Sequence, residues 1–267
     1  MRGVRWACVF VLAGLVGCGT PVSGPTLGTG GERGAGGEPQ RLRVRVLDVR
    51  PHDRSAFTEG FELAGGTLYE GTGLAGESAM LATDPVSGRV LRRAELPMPL
   101  FGEGVTVVAD RLWQLTWTDG LAIERDLNTL AELRRVPYEG EGWGLCHDGT
   151  RLVMSDGSDR LTFRDPSTFT PLGEVRVRNA GSPVRDLNEL ECDGGAVYAN
   201  VWRTNEIVRI DPSSGAVTAI IDASGLLPES ERSGTDVLNG IAAVPGTDEF
   251  LLTGKRWPHT YRVTFTP

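Results

Sequence analysis

Four short stretches, "FTEG" from 57, "FGEG" from 101, "GEGWG" from 140 and "LNELE" from 187, each set a glutamate beside small or polar residues at the entrance to an apolar run. The acids are Glu59, Glu103, Glu141 and Glu189, spaced 44, 38 and 48 residues apart. Carboxylates gathered in one small, partly buried space repel one another, so some hold their protons toward neutral pH. Such a group can take and return a proton near pH 7, which is the work of a general acid/base. The same oxygens also suit a hard cation such as calcium. The blander reading is that each acid caps a turn inherited with a repeat.

The spacing has the regularity of a repeat. "ATDPVSGRV", "ERDLNTLAEL", "FRDPSTFTPL" and "RIDPSSGAV" carry Asp84, Asp126, Asp165 and Asp211, spaced 42, 39 and 46. Each is followed by a turn of Pro, Ser, Thr, Asn or Gly and then a strand-like run. "LNGIAAV" from 238 is a fifth copy of the acid-bearing segment, with Asn239 and Gly240 in place of the acid. A third series, "TLYEGTG", "RLWQLTW", "RLVMSDGS", "AVYANVW" and "FLLTGKRW", falls between them. Short strands, turn signals and no helical periodicity indicate an all-β fold. A period of about 40–45 residues with about four strands per unit is the signature of a propeller blade.

Residues 41–267 divide into five units of about 45, so the expectation is a five-bladed β-propeller. "RLRVRVLDVRP" near residue 41 is a strand without a unit, and it is expected to complete the last blade from the N-terminus. A sandwich or barrel would leave the threefold register of repeats unexplained. The one candidate helix is "DASGLLPESERSG", before the fifth unit.

In a propeller the innermost strands line the axis, and residues at their entrances ring one mouth of it. The four glutamates should therefore converge there. Trp117, Trp143 and Trp202 adjoin the same segments and could wall a small substrate from water. Trp113 and Trp257 are equally suited to packing between blades.

The chain opens with Arg2 and Arg5, the apolar run "WACVFVLAGLVG" and Cys18. That pattern resembles a bacterial lipoprotein signal, with cleavage after residue 17 and lipidation of Cys18. The alternative is an ordinary secretory signal cut elsewhere. Either way an exported, envelope-located chain is expected, held to the membrane by its lipid alone. Residues 18–40, rich in Gly, read as a flexible tether. Without residues 1–17 the chain has 25 basic and 35 acidic residues, a net charge of −10. No basic stripe stands out, which argues against nucleic acid as a partner. Export permits a disulfide between Cys146 and Cys192, but sequence alone does not decide it. His52, His147 and His259 are not clustered as zinc ligands and read as surface or turn residues.

"FTEG", "YEGTG", "FGEG", "QLTW", "GEGWGL", "SDGS", "LNELE", "YANVW", "VLNGIA" and "TGKRWP", in this order across residues 52–263, resemble the plant and bacterial type of glutaminyl-peptide cyclotransferase. The resemblance implies a five-bladed propeller that cyclises N-terminal glutamine of peptides or proteins to pyroglutamate, releasing ammonia. It implies Glu103 as proton shuttle, with Glu189 next, and Glu59 and Glu141 orienting the amine. Trp117, Trp143 and Trp202 would wall the substrate, and Asn188, Asn239 and Lys255 would bind the amide oxygen or peptide carbonyl. No cofactor is required, although a structural divalent cation on the axis is compatible with the family. The protein is expected to act as a monomer. Two departures stand out: Glu59 replaces a glutamine common in relatives, so it is not expected to be the indispensable acid, and Gly71 replaces a common serine. The competing readings are a non-catalytic propeller that binds a peptide or cation, and a calcium-dependent propeller hydrolase.

Overall fold

The computed structural model describes residues 38–267; the proposed leader, Cys18 and most of the tether lie outside them. Among the described residues, a single turn of 3-10 helix at Glu229–Glu231 interrupts an otherwise all-β architecture. That turn lies where the sequence offers a helix, in a stretch whose Gly, Pro and Ser residues favour turns over helix continuation.

Strand β1 (Gln40–Pro51) comes first. It is followed by β2 (Thr58–Ala64), β3 (Thr67–Thr72), β4 (Ala79–Thr83) and β5 (Val90–Glu95), which form one four-stranded sheet. The next sheet is β6 (Gly102–Val108), β7 (Arg111–Thr116), β8 (Leu121–Asp126) and β9 (Glu132–Pro137). The third is β10 (Leu145–His147), β11 (Leu152–Ser155), β12 (Arg160–Arg164) and β13 (Pro171–Arg176), trailed by the hairpin β14 (Arg178–Asn179) and β15 (Ser182–Pro183). Then come β16 (Leu187–Asp193), β17 (Ala196–Val201), β18 (Glu206–Ile210), β19 (Val217–Asp222), β20 (Leu238–Ala243), β21 (Glu249–Gly254) and β22 (His259–Thr266). With β1 these make an eight-stranded sheet in the order β16-β17-β18-β19-β1-β22-β21-β20. β1 pairs antiparallel with β22 along most of its length and parallel with β19 at Gln40–Arg43.

Strands β2, β6, β10, β16 and β20 touch in a closed cycle, which makes the arrangement propeller-like. β2 and β6 are buried at their entrances, whereas β5 and β9 are mostly exposed. Apolar side chains pack between successive sheets, as where Tyr69, Met80, Val105 and Leu112 meet, or Trp113, Leu145, Leu152 and Phe169. Trp113 and Trp257 belong to such layers, each donating its indole N–H to a backbone carbonyl, of Pro166 and Asp236 respectively.

The glycines next to the repeated acids permit close approach of neighbouring strands. A Cβ on Gly104 would lie 2.5 Å from the carbonyl oxygen of Trp143, whereas the actual Gly104 N–H donates to that oxygen at 2.8 Å. The repeated aspartates are turn residues. Oδ1 of Asp84, Asp126 and Asp165 accepts backbone N–H groups two and three residues on, and Asp211 does so two residues on. These Asx turns lead into the outer strands and explain the Asp repeat without chemistry.

Cys146 on β10 and Cys192 on β16 form a disulfide across 46 residues. Closing a loop of that length stabilises by roughly 2–4 kcal/mol. His52 departs from expectation: its side chain is buried, with Nδ1 2.8 Å from the Trp257 carbonyl and Nε2 3.0 Å from Oε1 of Glu70. Both ring nitrogens need partners because burial removes water from them.

Candidate functional site

The pairing registers show how the chain aims its side chains at one mouth. Registers shift at Thr58/Gly60, Gly102/Val105, Leu187/Leu190 and Leu238/Ile241, always at the entrance to the first strand of a set. A bulge there turns a side chain out of the sheet and toward the opening. Aligned by register, the first-strand position holds Glu59, Glu103, Trp143, Asn188 and Asn239. The equivalent residue one or two positions past the end of the second strand is Gly73, Trp117, Gly157, Trp202 and Lys255.

This corrects the sequence reading of two acids. Glu189 is one residue out of register with Glu59 and Glu103, and occupies the position of their following glycines, Gly60 and Gly104. A one-residue offset on a strand reverses the side chain's direction. Glu189 accordingly points away from the mouth, where Oε1 accepts the Phe61 N–H at 3.1 Å and Oε2 the Ile241 N–H at 2.8 Å. Glu141 lies two residues before the register position taken by Trp143. Its Oε2 accepts both the Trp117 and Trp143 indole N–H groups, at 2.8 and 2.9 Å.

Glu189 belongs to a second class of acids. Glu62 accepts the Val107 N–H at 2.9 Å, and Glu191 accepts those of Cys192 and Ala243 at 2.7 and 3.0 Å. The free edges of first strands present N–H groups that must be satisfied away from water. These three carboxyls supply that from one set to the next. Burial pushes Glu62 up to about 7 and pushes Glu189 and Glu191 well above the usual carboxylate range. Among the described residues, no group of three His, Cys, Asp or Glu side chains is placed to hold a metal ion.

The mouth holds a pocket of about 270 Å³ lined by Glu59, Glu103, Trp117, Trp143, Asn188, Trp202 and Lys255, seven of the ten catalytic and substrate-binding residues expected there. Glu141, Glu189 and Asn239 are not on its wall. Asn239 stands behind Glu59, its Nδ2 donating to Glu59 Oε2 at 3.2 Å and to the Thr58 carbonyl at 3.0 Å. A larger depression of about 570 Å³ near Glu77 and Arg93 includes none of these ten residues.

Five further lining residues escaped the sequence reading: Phe57, Phe101, Arg203, Asp236 and Val237. The two phenylalanines had a signal, since each stands two residues before its glutamate in "FTEG" and "FGEG". Phe57 meets Phe101 edge-on at 6.4 Å, and Phe101 meets Trp117 at 5.6 Å. Trp143 meets Trp202 edge-on at 5.4 Å. Glu141 ties the two aromatic groups together. The glycines of the second-strand ring leave room for these rings, because a Cβ would come within 2.5 Å of Phe101 at Gly73 and 2.6 Å of Trp143 at Gly157.

Charge is set unevenly on the floor. Lys255 Nζ lies 2.6 Å from Glu59 Oε1 and 4.7 Å from the centre of the Phe57 ring. Burial pushes Glu59 up to about 7, against the pull of Lys255. Burial holds Glu103 well above the usual range, and the charge on Glu59 adds to it while Lys255 opposes. Glu103 Oε2 is buried without a hydrogen-bond partner among the described residues. The site thus offers one ion pair, one acid that is biased toward its protonated form and hydrogen-bonded to Glu59 but has an unengaged Oε2, and an aromatic wall.

Comparison with known proteins points to one family. The family model for glutamine cyclotransferase matches residues 23–265. A curated glutaminyl-peptide cyclotransferase of Arabidopsis thaliana is 38% identical over 226 residues, covering 82% of this chain and 70% of that protein. The crystal structure of Myxococcus xanthus glutaminyl cyclase superposes with a TM-score of 0.80 at 37% identity, over 86% of this chain and 99% of that one. A calcium-binding protein, regucalcin from Agrobacterium tumefaciens, gives a TM-score of 0.52 at 14% identity over 86% and 96% of the two chains, a likeness of fold alone.

Proposed function

The chain belongs to the glutamine cyclotransferase family, and we propose that it converts N-terminal glutamine of peptides or proteins to pyroglutamate with release of ammonia. The observation that carries this reading is the unpartnered Oε2 of Glu103 in the wall of an aromatic pocket. Glu59 is a hydrogen-bond partner of this acid, and the carboxyl oxygen left without a partner in the protein is free to meet a substrate.

The reaction joins the α-nitrogen to the side-chain amide carbon and breaks that carbon's bond to its amide nitrogen. The attacking amine must be neutral, and its unperturbed pKa of about 7.7–8.0 leaves a useful neutral fraction near pH 7. Attack gives a tetrahedral carbon bearing an oxyanion, a positively charged ring nitrogen and the amide nitrogen. Glu103 gives its proton to the amide nitrogen and receives one from the ring nitrogen. Ammonia leaves and the acid is restored, so protons balance through a single carboxyl group. Lys255 and the Asn188 side chain are the donors we assign to the oxyanion. Glu59 keeps Lys255 in place and the aromatic wall excludes water. We assign Glu189 to structure. No resident cofactor takes part in this scheme.

Supported by the cyclic contacts of the five first strands and the β1–β22 pairing, we read the fold as a five-bladed propeller whose last blade takes β1 as its outer strand. We further propose an exported, monomeric protein, lipidated at Cys18. The test of function is ammonia release and the matching mass loss from a Gln-initiated peptide, with and without a chelator. Turnover in both conditions is expected. Turnover that chelation abolishes would favour a metal-dependent reaction, and binding without turnover would leave a peptide-binding module.

A further inference from the structure

The glutamine pocket opens onto a neighbouring groove of about 310 Å³, and the two cavities share Arg203, Asp236 and Val237 in their walls. The surface of the groove is mostly polar, with Leu227, Leu238 and Trp257 buried beneath it. Its charged groups are Arg203, Arg232 and Asp236. Arg232 is engaged by Glu229, and Asp236 Oδ1 accepts the Val237 N–H at 2.7 Å. The negative charge of Asp236 is felt at Glu59 in the adjoining pocket. Arg203 differs from both: its guanidinium stacks 3.9 Å above the Trp202 ring, and no carboxylate pairs with it among the described residues. A stacked guanidinium is held by its face, which leaves its edge N–H groups free for a two-point bond to a carboxylate.

We propose that this groove receives the peptide chain beyond the cyclised glutamine, and that Arg203 selects substrates carrying a carboxylate at the following residue. The inference rests on the cyclase reading of the adjoining pocket. A peptide whose glutamine enters the pocket amine-first must leave over the shared wall, and one residue of extended chain advances about 3.3–3.6 Å, so the next residue meets the rim. The charges complement such a ligand, with Glu59, Glu103 and Asp236 lining the glutamine pocket and Arg203 in the wall shared with the groove. The carboxylate has two sources, an acidic side chain or the free C-terminus of a dipeptide.

The test measures kcat/KM for Gln-Glu-amide, Gln-Ala-amide, Gln-Lys-amide and uncapped Gln-Ala. The expected result is a preference of about tenfold for Gln-Glu-amide over Gln-Lys-amide, the weight of one charge-assisted hydrogen-bonded pair. A gain for uncapped over capped Gln-Ala identifies the C-terminal carboxylate as a second ligand of the same kind. Arg203→Ala should bring these ratios close to one, and Arg203→Lys should keep part of them, with CD spectra confirming that both variants fold. Equal turnover of all four peptides, or a preference that survives Arg203→Ala, overturns the assignment and leaves the cyclase reading standing. Turnover of none overturns both.

Discussion

Lys255 Nζ lies 2.6 Å from Oε1 of Glu59, and both side chains are buried. Removing one member of such a pair leaves an uncompensated charge, at a cost of roughly 3–5 kcal/mol. Glu59 can escape part of that cost by taking up a proton. Lys255→Met should therefore lose less stability at pH 6 than at pH 8 in urea unfolding, with lower activity at both. An equal loss at the two pH values would show that the pair is not coupled to Glu59's proton.

Glu59→Gln tests the coupling from the other side. The charge on Glu59 is one of the causes that raise Glu103, and Lys255 works against it. With an amide at 59, Glu103 should hold its proton less tightly. The alkaline limb of the kcat/KM profile, where Glu103 loses its proton in our scheme, should move to lower pH. An unmoved limb would assign that limb to another group.

Glu141 holds Trp117 and Trp143 through one oxygen, and Trp117 is 40% exposed. Glu141→Leu removes this shared acceptor, and both hydrogen bonds with it, at the surface, where little stability is at stake. The expected result is a several-fold rise in KM with kcat and Tm nearly unchanged, since each lost hydrogen bond is worth about 0.5–1.5 kcal/mol. A fall in kcat with KM constant would instead place Glu141 in the chemistry.

The repeat carried most of the fold. Its period, its three registers and the unclaimed strand at residue 41 were all legible because turns and strand entrances draw on few residue types. The site was legible only in part. "LNELE" reads as another acid-bearing copy, yet the bulge at Leu187/Leu190 gives the mouth position to Asn188 and turns Glu189 inward. A one-residue offset is invisible when acids are matched by type, and strand geometry makes that offset decisive. Likewise Glu62 and Glu191 carry no motif; their role comes from N–H groups on neighbouring strands, which no local pattern reveals. His52 read as a surface or turn residue, and its burial was hidden because Glu70 and Trp257, its partners, are distant in sequence.

Those buried groups also set how stability varies with pH. Glu62 is pushed up to about 7 by burial, above its unfolded value, so the folded chain binds its proton more tightly. Its contribution is full below the ordinary carboxylate range and is lost as pH rises toward 7. His52 works in the same direction. Burial opposes its charge, but Glu70's charge and hydrogen bond and the Trp257 carbonyl outweigh that and raise it. Its contribution is complete below about pH 6.5 and fades as pH passes its raised folded value. Tm should therefore fall between pH 5 and pH 8, and Glu62→Gln should flatten the decline. A Tm that rises over this interval would contradict both assignments.

The central claim is that Glu103 moves the proton while Glu189, an acid of the same motif, holds strands together. The most direct measurement compares kcat of Glu103→Gln and Glu189→Gln on a Gln-initiated peptide, alongside their unfolding free energies. The account predicts a fall of about 10²-fold or more for Glu103→Gln, the size of a lost general acid/base, with a folded protein. For Glu189→Gln it predicts a loss of about 1–3 kcal/mol in stability and near wild-type kcat in the folded fraction. Full activity in Glu103→Gln, or the larger kcat loss in Glu189→Gln, would contradict it.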